Sequence, residues 1–146
     1  MERVTEAAIV THFKIHNRRM TQLYGIPNCD TVKRARAWLA DQGVAYTFHD
    51  FKKQGVPAEA LQGWLTAQGW ERVLNRRGTT WRQLDEATRT GVVDADSAAQ
   101  VMLAHASTIK RPVVEWDDGA VTVGFDAEDW ASRCLLYTSD AADDSL

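Results

Sequence analysis

Cys29 is the residue of this chain whose position best suits nucleophilic chemistry. It lies in a loop that follows an apolar run and precedes a helical pattern beginning at Val32. A helix N-terminus offers unpaired backbone N–H groups and the positive end of the helix dipole, and both favour the nucleophilic thiolate. Lys33 and Arg34 add positive charge there, and Asp30 opposes them. The sequence thus predicts a reactive thiolate; the alternative is a buried cysteine that packs as a small hydrophobe.

A second thiol close to Cys29 is missing from the sequence. Val32 occupies the position that a C-x-x-C pair would require, and the other cysteine, Cys134, borders the C-terminal tail. Two cysteines in 146 residues argue against a disulfide scaffold and indicate a reducing compartment. Any redox chemistry is therefore expected to use one protein thiol, with the resolving thiol supplied by glutathione or by another protein.

Short periodic segments around Cys29 predict a strand–helix–strand unit. Residues 21–26 are typical of a strand, and the apolar pattern that follows is helical and ends at Gly43. Asp30 or Thr31 is expected to cap that helix. Residues 44–51 predict a second strand, which a right-handed crossover would make parallel to the first.

The rest of the chain predicts several helices, a hairpin and a final helix. The expected helices are one that starts at Pro57 and is ended by Gly69, residues 70–74, residues 81–90, the stretch from an Asp94 or Asp96 cap to His105, and residues 126–133. The expected strands are 113–116 and 120–125. Asp117, Asp118 and Gly119 form a turn of the kind that joins antiparallel strands. This order predicts an α/β, thioredoxin-like fold with a mixed sheet and a helical insertion between its two halves.

The two ends of the sequence differ from its middle. The strand-like pattern begins just after Met20, and residues 1–19 lack the apolar core of a signal peptide. We interpret them as a leader from a misplaced start codon, with a short helix packed on the domain as the alternative. Residues 135–146 are small, polar and acidic, and they resemble a translated vector scar. The fold is therefore expected within residues 20–134.

Composition and charge argue against several classes of function. The net charge of −3 disfavours a nucleic-acid-binding module held by bulk positive charge, and no apolar run reaches the roughly 20 residues that span a membrane. The six tryptophans fall on apolar positions, which indicates core packing rather than base stacking. His12 and His16 have helical metal-ligand spacing without a nearby cysteine or carboxylate cluster, so no metal site is predicted. We expect a cytoplasmic protein with no bound cofactor.

Three segments share their pattern with a known family. LYGIPNCDTVKRARAWL contains Cys29, LNRRGTTWRQL contains Arg76 and Arg77, and IKRPVVEW contains Arg111 and Pro112. Together, and in this order, they resemble the ArsC-like proteins over nearly all of the chain between its two ends. That family has the thioredoxin fold and includes glutaredoxin-coupled arsenate reductases, Spx transcriptional regulators and YffB-type proteins. The resemblance is strongest to the YffB-type branch.

The resemblance implies a role for each of these residues. Cys29 matches the catalytic cysteine, which in arsenate reductases attacks arsenate before the adduct passes to glutathione. Arg111 matches an oxyanion-contacting arginine that precedes a cis-proline, here Pro112. Either Arg76 or Arg77 matches a second such arginine, since guanidinium groups donate parallel hydrogen bonds to oxyanions and carboxylates. The candidate substrate-binding residues are Asn28, Asp30, Thr31, Arg76, Arg77, Arg111 and Pro112.

The sequence departs from the arsenate reductases at two positions. Those enzymes carry a third arginine in the final strand region. Here that region is residues 121–125, which contain no arginine, and the nearest match is Gly124 or one of its neighbours. In addition, Asp30 places a negative charge beside Cys29. Both differences favour a peptide-like thiol such as glutathione over a small trianion. The arginines would then hold glutathione carboxylates.

Three hypotheses about function follow from the resemblance. The first is a monothiol, glutathione-dependent thiol/disulfide reductase with Cys29 as nucleophile and glutathione or glutaredoxin as partner. The second is a glutaredoxin-coupled arsenate reductase. The third is an Spx-like, non-enzymatic regulator that binds the RNA polymerase α subunit without direct contact to nucleic acid; Spx proteins commonly use a C-x-x-C switch, which Val32 removes here.

Overall fold

A mixed sheet organises residues 20–134, the part of the chain that the structure, a computed structural model, describes. Its four strands are β1 (Thr21–Gly25), β2 (Tyr46–Asp50), β3 (Val113–Glu115) and β4 (Val121–Val123). Their order is β2–β1–β3–β4, with β1 and β2 parallel and the other two pairs antiparallel. The leader and tail expected at residues 1–19 and 135–146 lie outside the described residues.

Helices connect β1 to β2, fill the interval between β2 and β3, and follow β4. They are α1 (Asp30–Asp41), α2 (Phe51–Gln54), α3 (Ala58–Gln68), α4 (Trp70–Val73), α5 (Thr79–Gln83), α6 (Glu86–Thr90) and α7 (Ala95–Ala104), then a 3₁₀ turn (Ala106–Thr108), and α8, which is helical from residue 127 to residue 134. The α/β thioredoxin-like fold with a helical insertion is therefore confirmed.

Strand alternation separates an apolar core on each face of the sheet. Leu23 and Val114 are paired across β1 and β3, and both pack with α1 and α8. Tyr24 and Val113 form the next pair and pack with α3, α4 and α7 on the other face. Because successive residues of a strand point to opposite faces, the central strands β1 and β3 contribute to both cores.

Tryptophan side chains occupy both cores, as their apolar positions predict. Trp64 is buried on the insertion side, and Trp130 is fully buried on the α1 side. The Trp130 ring centroid lies 5.1 Å from that of Trp116 and 4.8 Å from that of Phe125, both in edge-to-face geometry. Edge-to-face packing of this kind favours a single arrangement of α8 on the sheet.

Aspartate caps change the bounds of two elements that the sequence predicts. The helix expected at 81–90 is instead α5 and α6, and between them the Asp85 carboxylate accepts the Thr88 N–H at 2.7 Å. Similarly, β2 ends at Asp50, whose carboxylate accepts the Lys52 N–H at 2.8 Å and starts α2. Apolar spacing continues through Asp85, so periodicity alone does not reveal that a side chain has redirected the backbone there. At Asp50 the alternation of apolar residues ends, and the predicted strand extends one residue too far.

Candidate active site

Cys29 is the N-cap residue of α1, with φ −141° and ψ 123°. Its carbonyl accepts the first helical hydrogen bond, from the Lys33 N–H at 2.9 Å. The N-cap side chain makes no capping hydrogen bond, so the first-turn N–H groups keep their donor capacity beside the thiol. Cys29 is half-buried and packs against the core under α1. A partly accessible sulfur therefore lies where backbone donors can stabilise a negative charge.

The expected capping of α1 by Asp30 or Thr31 is wrong. Asp30 is already the first helical residue, and its exposed carboxylate lies in the first turn, where the helix dipole favours it. Aspartate is common both at the N-cap and in the first turn, so its preference does not fix which residue begins the helix.

Gly25 sets the close approach between the end of β1 and the start of α1. A Cβ atom at this position would lie 2.8 Å from Cγ2 of Val32. Val32 is fully buried in the first turn of α1, so its side chain has little room to move away. A residue without a side chain is therefore needed for this spacing, which in turn places the Cys29 loop over the end of the sheet.

Pro112 lies at the same end of the sheet. The Arg111–Pro112 peptide bond is cis, as the resemblance implies. The β1–β3 pairing reaches Tyr24 opposite Val113, and the Gly124 N–H donates to the Pro112 carbonyl at 2.8 Å. Continuing this register by one residue places Gly25, Pro112 and Gly124 side by side, at the edge from which the Cys29 loop leaves.

A short antiparallel ladder brings the two predicted basic segments together. Its contacts are the Leu74–Ile109 bridge, the Asn75 N–H to Thr108 carbonyl bond at 2.7 Å and the Lys110 N–H to Val73 carbonyl bond at 2.7 Å. The loop that contains Arg76 and Arg77 thus starts next to the segment that leads into Arg111. Arg76 and Arg111, which are 35 positions apart in the sequence, thus follow two backbone segments that are hydrogen-bonded to each other.

The structure separates the roles of the two adjacent arginines. The Arg76 Nη2 atom lies 3.6 Å from the Glu71 Oε2 atom, and its guanidinium carbon lies 5.5 Å from the Trp70 ring centroid. Within residues 20–134, the side chains of Arg77 and Arg111 have no hydrogen bond or ion pair. Arg77 is exposed and Arg111 is half-buried. Arg77 is therefore better placed than Arg76 to donate to a ligand.

The remaining candidates surround Cys29, and one basic residue was missed. Asn28 and Asp30 are exposed and Thr31 is half-buried, on either side of Cys29. Lys110 is not among the sequence-derived candidates, although its side chain lies over Gly124. Its position next to Arg111 was the available signal, but the direction of its side chain depends on the β3–β4 register.

The described residues contain no group of three or more histidine, cysteine, aspartate or glutamate side chains that could hold a metal ion. His12 and His16, which have metal-ligand spacing, lie outside those residues. None of the helices described is both long and apolar enough to cross a membrane.

Comparison with known proteins identifies the family. A model of the ArsC family matches residues 24–132. The chain belongs to the ArsC family. A YFFB protein of known structure is 48% identical, with a TM-score of 0.74 over 77% of this chain and 97% of that one. An arsenate reductase (ArsC) related protein from Brucella melitensis is 50% identical, with a TM-score of 0.62 over 78% of this chain and 93% of that one.

Two further relatives are less similar in sequence to this chain. An uncharacterised protein from Haemophilus influenzae is 38% identical over 111 residues, which are 76% of this chain and 96% of that protein. A global transcriptional regulator Spx from Streptococcus pyogenes is 24% identical over 116 residues, which are 75% of this chain and 81% of the regulator. Family membership, expected from three sequence segments, is confirmed, and proteins similar to this chain include an arsenate reductase (ArsC) related protein and a transcriptional regulator.

Proposed function

We propose that this ArsC-family protein is a cytoplasmic, glutathione-dependent thiol/disulfide reductase in which Cys29 is the nucleophile. The observation that carries the proposal is the half-buried Cys29 thiol at the uncapped N-terminus of α1. The second cysteine has different surroundings, because burial, and then the negative charge of Asp117, raises the pKa of the Cys134 thiol. Cys134 is thus disfavoured as a thiolate, and we assign the chemistry to a single protein thiol.

The proposed reaction has two thiol–disulfide exchanges. In the first, the Cys29 thiolate attacks the glutathione sulfur of a mixed disulfide, and the other thiol leaves as a thiolate. In the second, the thiolate of another glutathione attacks the same sulfur of the Cys29 adduct. Oxidised glutathione is released and the Cys29 thiolate is restored. The net reaction converts one mixed disulfide and one glutathione thiolate into a free thiolate and oxidised glutathione.

The positive side chains near this end of the sheet support a carboxylate-bearing substrate. Arg77 and Arg111 lie on the two backbone segments joined by the ladder, and each lacks an ion-pair partner in the described part of the chain. Guanidinium groups bind carboxylates through paired hydrogen bonds. Glutathione has two carboxylates, so these arginines suit it better than a neutral disulfide.

A cysteine exchange series tests the proposal. The wild type, Cys29→Ser and Cys134→Ser are incubated with oxidised glutathione, and the adduct is located by mass spectrometry of intact protein and peptides. We expect one glutathione on the wild type and on Cys134→Ser, and none on Cys29→Ser. Reduction of a glutathione mixed disulfide should follow the same pattern. An unmodified wild type, or modification that survives in Cys29→Ser, would contradict the proposal.

Arsenate reduction is the second candidate, favoured by similarity to an arsenate reductase (ArsC) related protein. Residues 121–125, where the resemblance implies a third oxyanion-binding arginine, contain no arginine, and Asp30 adds negative charge beside Cys29. We therefore expect no arsenate-dependent oxidation of glutathione in a coupled assay that contains active glutaredoxin. Turnover that depends on both arsenate and Cys29 would favour this candidate over the first.

Spx-like regulation is a separate candidate, favoured by similarity to a global transcriptional regulator. The partner would be the RNA polymerase α subunit, and Val32 excludes a C-x-x-C switch at Cys29. Co-purification of the α subunit with both the wild type and Cys29→Ser would favour this candidate. We expect no such complex.

A further inference from the structure

Lys110 has a defined position in the structure but no role in the proposed reaction. Its backbone N–H donates to the Val73 carbonyl at 2.7 Å, so the ladder fixes its main chain. Its Cε and Cδ atoms lie 3.2 Å and 4.0 Å from the position that a Cβ atom would occupy on Gly124. The Gly124 N–H in turn donates to the Pro112 carbonyl at 2.8 Å. The Lys110 stem therefore lies over the backbone beside Pro112.

Gly124 provides the space that the Lys110 stem occupies. The φ angle of Gly124 is 80°, a conformation that side-chain-bearing residues rarely adopt. Gly124 therefore places no side chain of its own in this space. A lysine stem that packs on backbone in this way keeps its ammonium group in water at the end of a restrained chain.

The charge of Lys110 is uncompensated in the part of the chain that the structure describes. Its ammonium group forms no salt bridge there, and neither do the guanidinium groups of Arg77 and Arg111. These cations belong to the two segments that the ladder joins. Positive groups that share one end of a domain without acidic partners attract anions to that end.

We propose that Lys110 is a specificity-determining residue that binds a carboxylate of a peptide thiol such as glutathione, on the Gly124 side of Pro112. This inference rests on the proposed function and names a binding contact for its substrate. A ligand with two separated carboxylates matches cationic groups on separate residues, with an arginine binding one carboxylate and Lys110 the other. The ammonium is a compact charge that suits a carboxylate without bidentate geometry.

Equilibrium binding of S-methylglutathione tests the inference, because this analogue has no free thiol or disulfide to exchange with Cys29. Calorimetry compares the wild type with Lys110→Met, Lys110→Arg and the matched surface control Lys53→Met. We expect Lys110→Met to weaken binding by about three- to tenfold, the range for loss of one exposed charge-assisted contact. Lys110→Arg should retain most of the affinity, and Lys53→Met should bind as the wild type does.

Ligand variants identify the group that Lys110 contacts. Each carboxylate of S-methylglutathione is replaced in turn by a carboxamide, and one of the two replacements should abolish the difference between the wild type and Lys110→Met. A difference that persists with both amides overturns the assignment. Equal affinities of the wild type and Lys110→Met for the parent ligand, or no binding to the wild type, also overturn it. Lys110-dependent binding by a protein whose Cys29 forms no glutathione adduct would refute the proposed reductase alone.

Discussion

Arg76 and Arg77 are sequence neighbours whose side chains have different surroundings. Arg76 is held by the Glu71 carboxylate and the Trp70 ring on α4, whereas Arg77 has no side-chain partner among the described residues. The resemblance leaves these two arginines equivalent, because either one can be aligned with the family position. A contact that restrains one guanidinium group makes the other the better ligand donor.

We predict that Arg77→Gln slows formation of the Cys29–glutathione adduct by about three- to tenfold, because it removes a charge-assisted contact. Arg76→Gln, the matched control, should slow it less than about twofold, because the Arg76 guanidinium contacts Glu71 and the Trp70 ring rather than the ligand. Rates are measured by mass spectrometry with oxidised glutathione at fixed ionic strength. The assignment is reversed if the Arg76 variant shows the larger loss.

At the scale of elements, the contact of β1 with α1 controls the position of Cys29. We predict that Gly25→Ala lowers the free energy of unfolding by about 1–3 kcal/mol, because the new Cβ overlaps the buried Val32 side chain. The displaced helix start should also slow alkylation of Cys29. Chemical denaturation and timed iodoacetamide labelling measure the two effects.

Gly63→Ala is the control for the glycine substitution itself. Gly63 is exposed within α3, and a Cβ atom there would meet nothing within 4 Å. Alanine has the higher helix propensity, so the free energy of unfolding of this variant should rise by about 0.5–1 kcal/mol. Its Cys29 should react with iodoacetamide at the wild-type rate. Wild-type stability and labelling in Gly25→Ala would show that the β1–α1 contact does not position Cys29.

The N-terminus of α7 introduces a pH dependence into the insertion. The backbone N–H of Ser97, followed by its hydroxyl, hydrogen-bonds to Asp94 and lowers the pKa of this carboxyl below its ordinary value of 3.8. A carboxyl whose pKa is lower in the folded state than in the unfolded state stabilises the fold at every pH above its unfolded-state pKa. This stabilisation is lost as the pH falls through the pKa of the folded state.

We predict that stability falls less steeply below pH 4 in Asp94→Asn than in the wild type, because asparagine caps helices without titrating. Thermal unfolding followed by circular dichroism across the acid range measures the slope. Asp96→Asn leaves the cap intact and should retain the wild-type slope. Identical slopes for all three proteins would exclude Asp94 as a source of acid sensitivity.

The strands and the first helix could be predicted from the sequence because their signals are local. The apolar run before Pro27 indicates the first strand, and the glycine after α1 indicates the end of that helix. The Asp–Asp–Gly sequence indicates the hairpin turn. Each signal lies within a few residues of the feature that it predicts. The division of residues 81–90 into two helices depends on how Asp85 uses its carboxylate. The place of Lys110 depends on the register between β3 and β4, which no short segment contains.

At the scale of the whole molecule, one carboxylate joins the sheet to the insertion. Glu115 on β3 accepts the Trp64 indole N–H from α3 at 2.8 Å and the Tyr24 hydroxyl from β1 at 3.1 Å. Burial, and then the charge of Glu115, raises the pKa of Tyr24 well above its usual value of 10.0. Tyr24 therefore stays protonated and donates to Glu115 within the sheet, while the Trp64 indole joins the same carboxylate to the insertion.

We predict that Glu115→Ala lowers the free energy of unfolding by about 1–3 kcal/mol, because the buried Trp64 N–H loses its acceptor. Glu115→Gln keeps an acceptor oxygen and should lose less. Glu128→Ala, which replaces an exposed side chain on α8, should change the free energy of unfolding by less than about 0.5 kcal/mol. Urea titration distinguishes the three; equal stability of the wild type and Glu115→Ala would show that water replaces the carboxylate.

The ladder that includes Lys110 also affects which parts of the sequence can vary during evolution. The Asn75 N–H donates directly to the Thr108 carbonyl, so the two ends of the segment between them, residues 76–107, lie side by side. Substitutions on α6, which buries no side chain, need not shift Arg111 and Pro112 relative to β1, whereas α7 packs in the core with Tyr24 and Val113. The exposed surface of α6 can therefore differ between related chains, while the ladder keeps the same backbone frame beside the thiol.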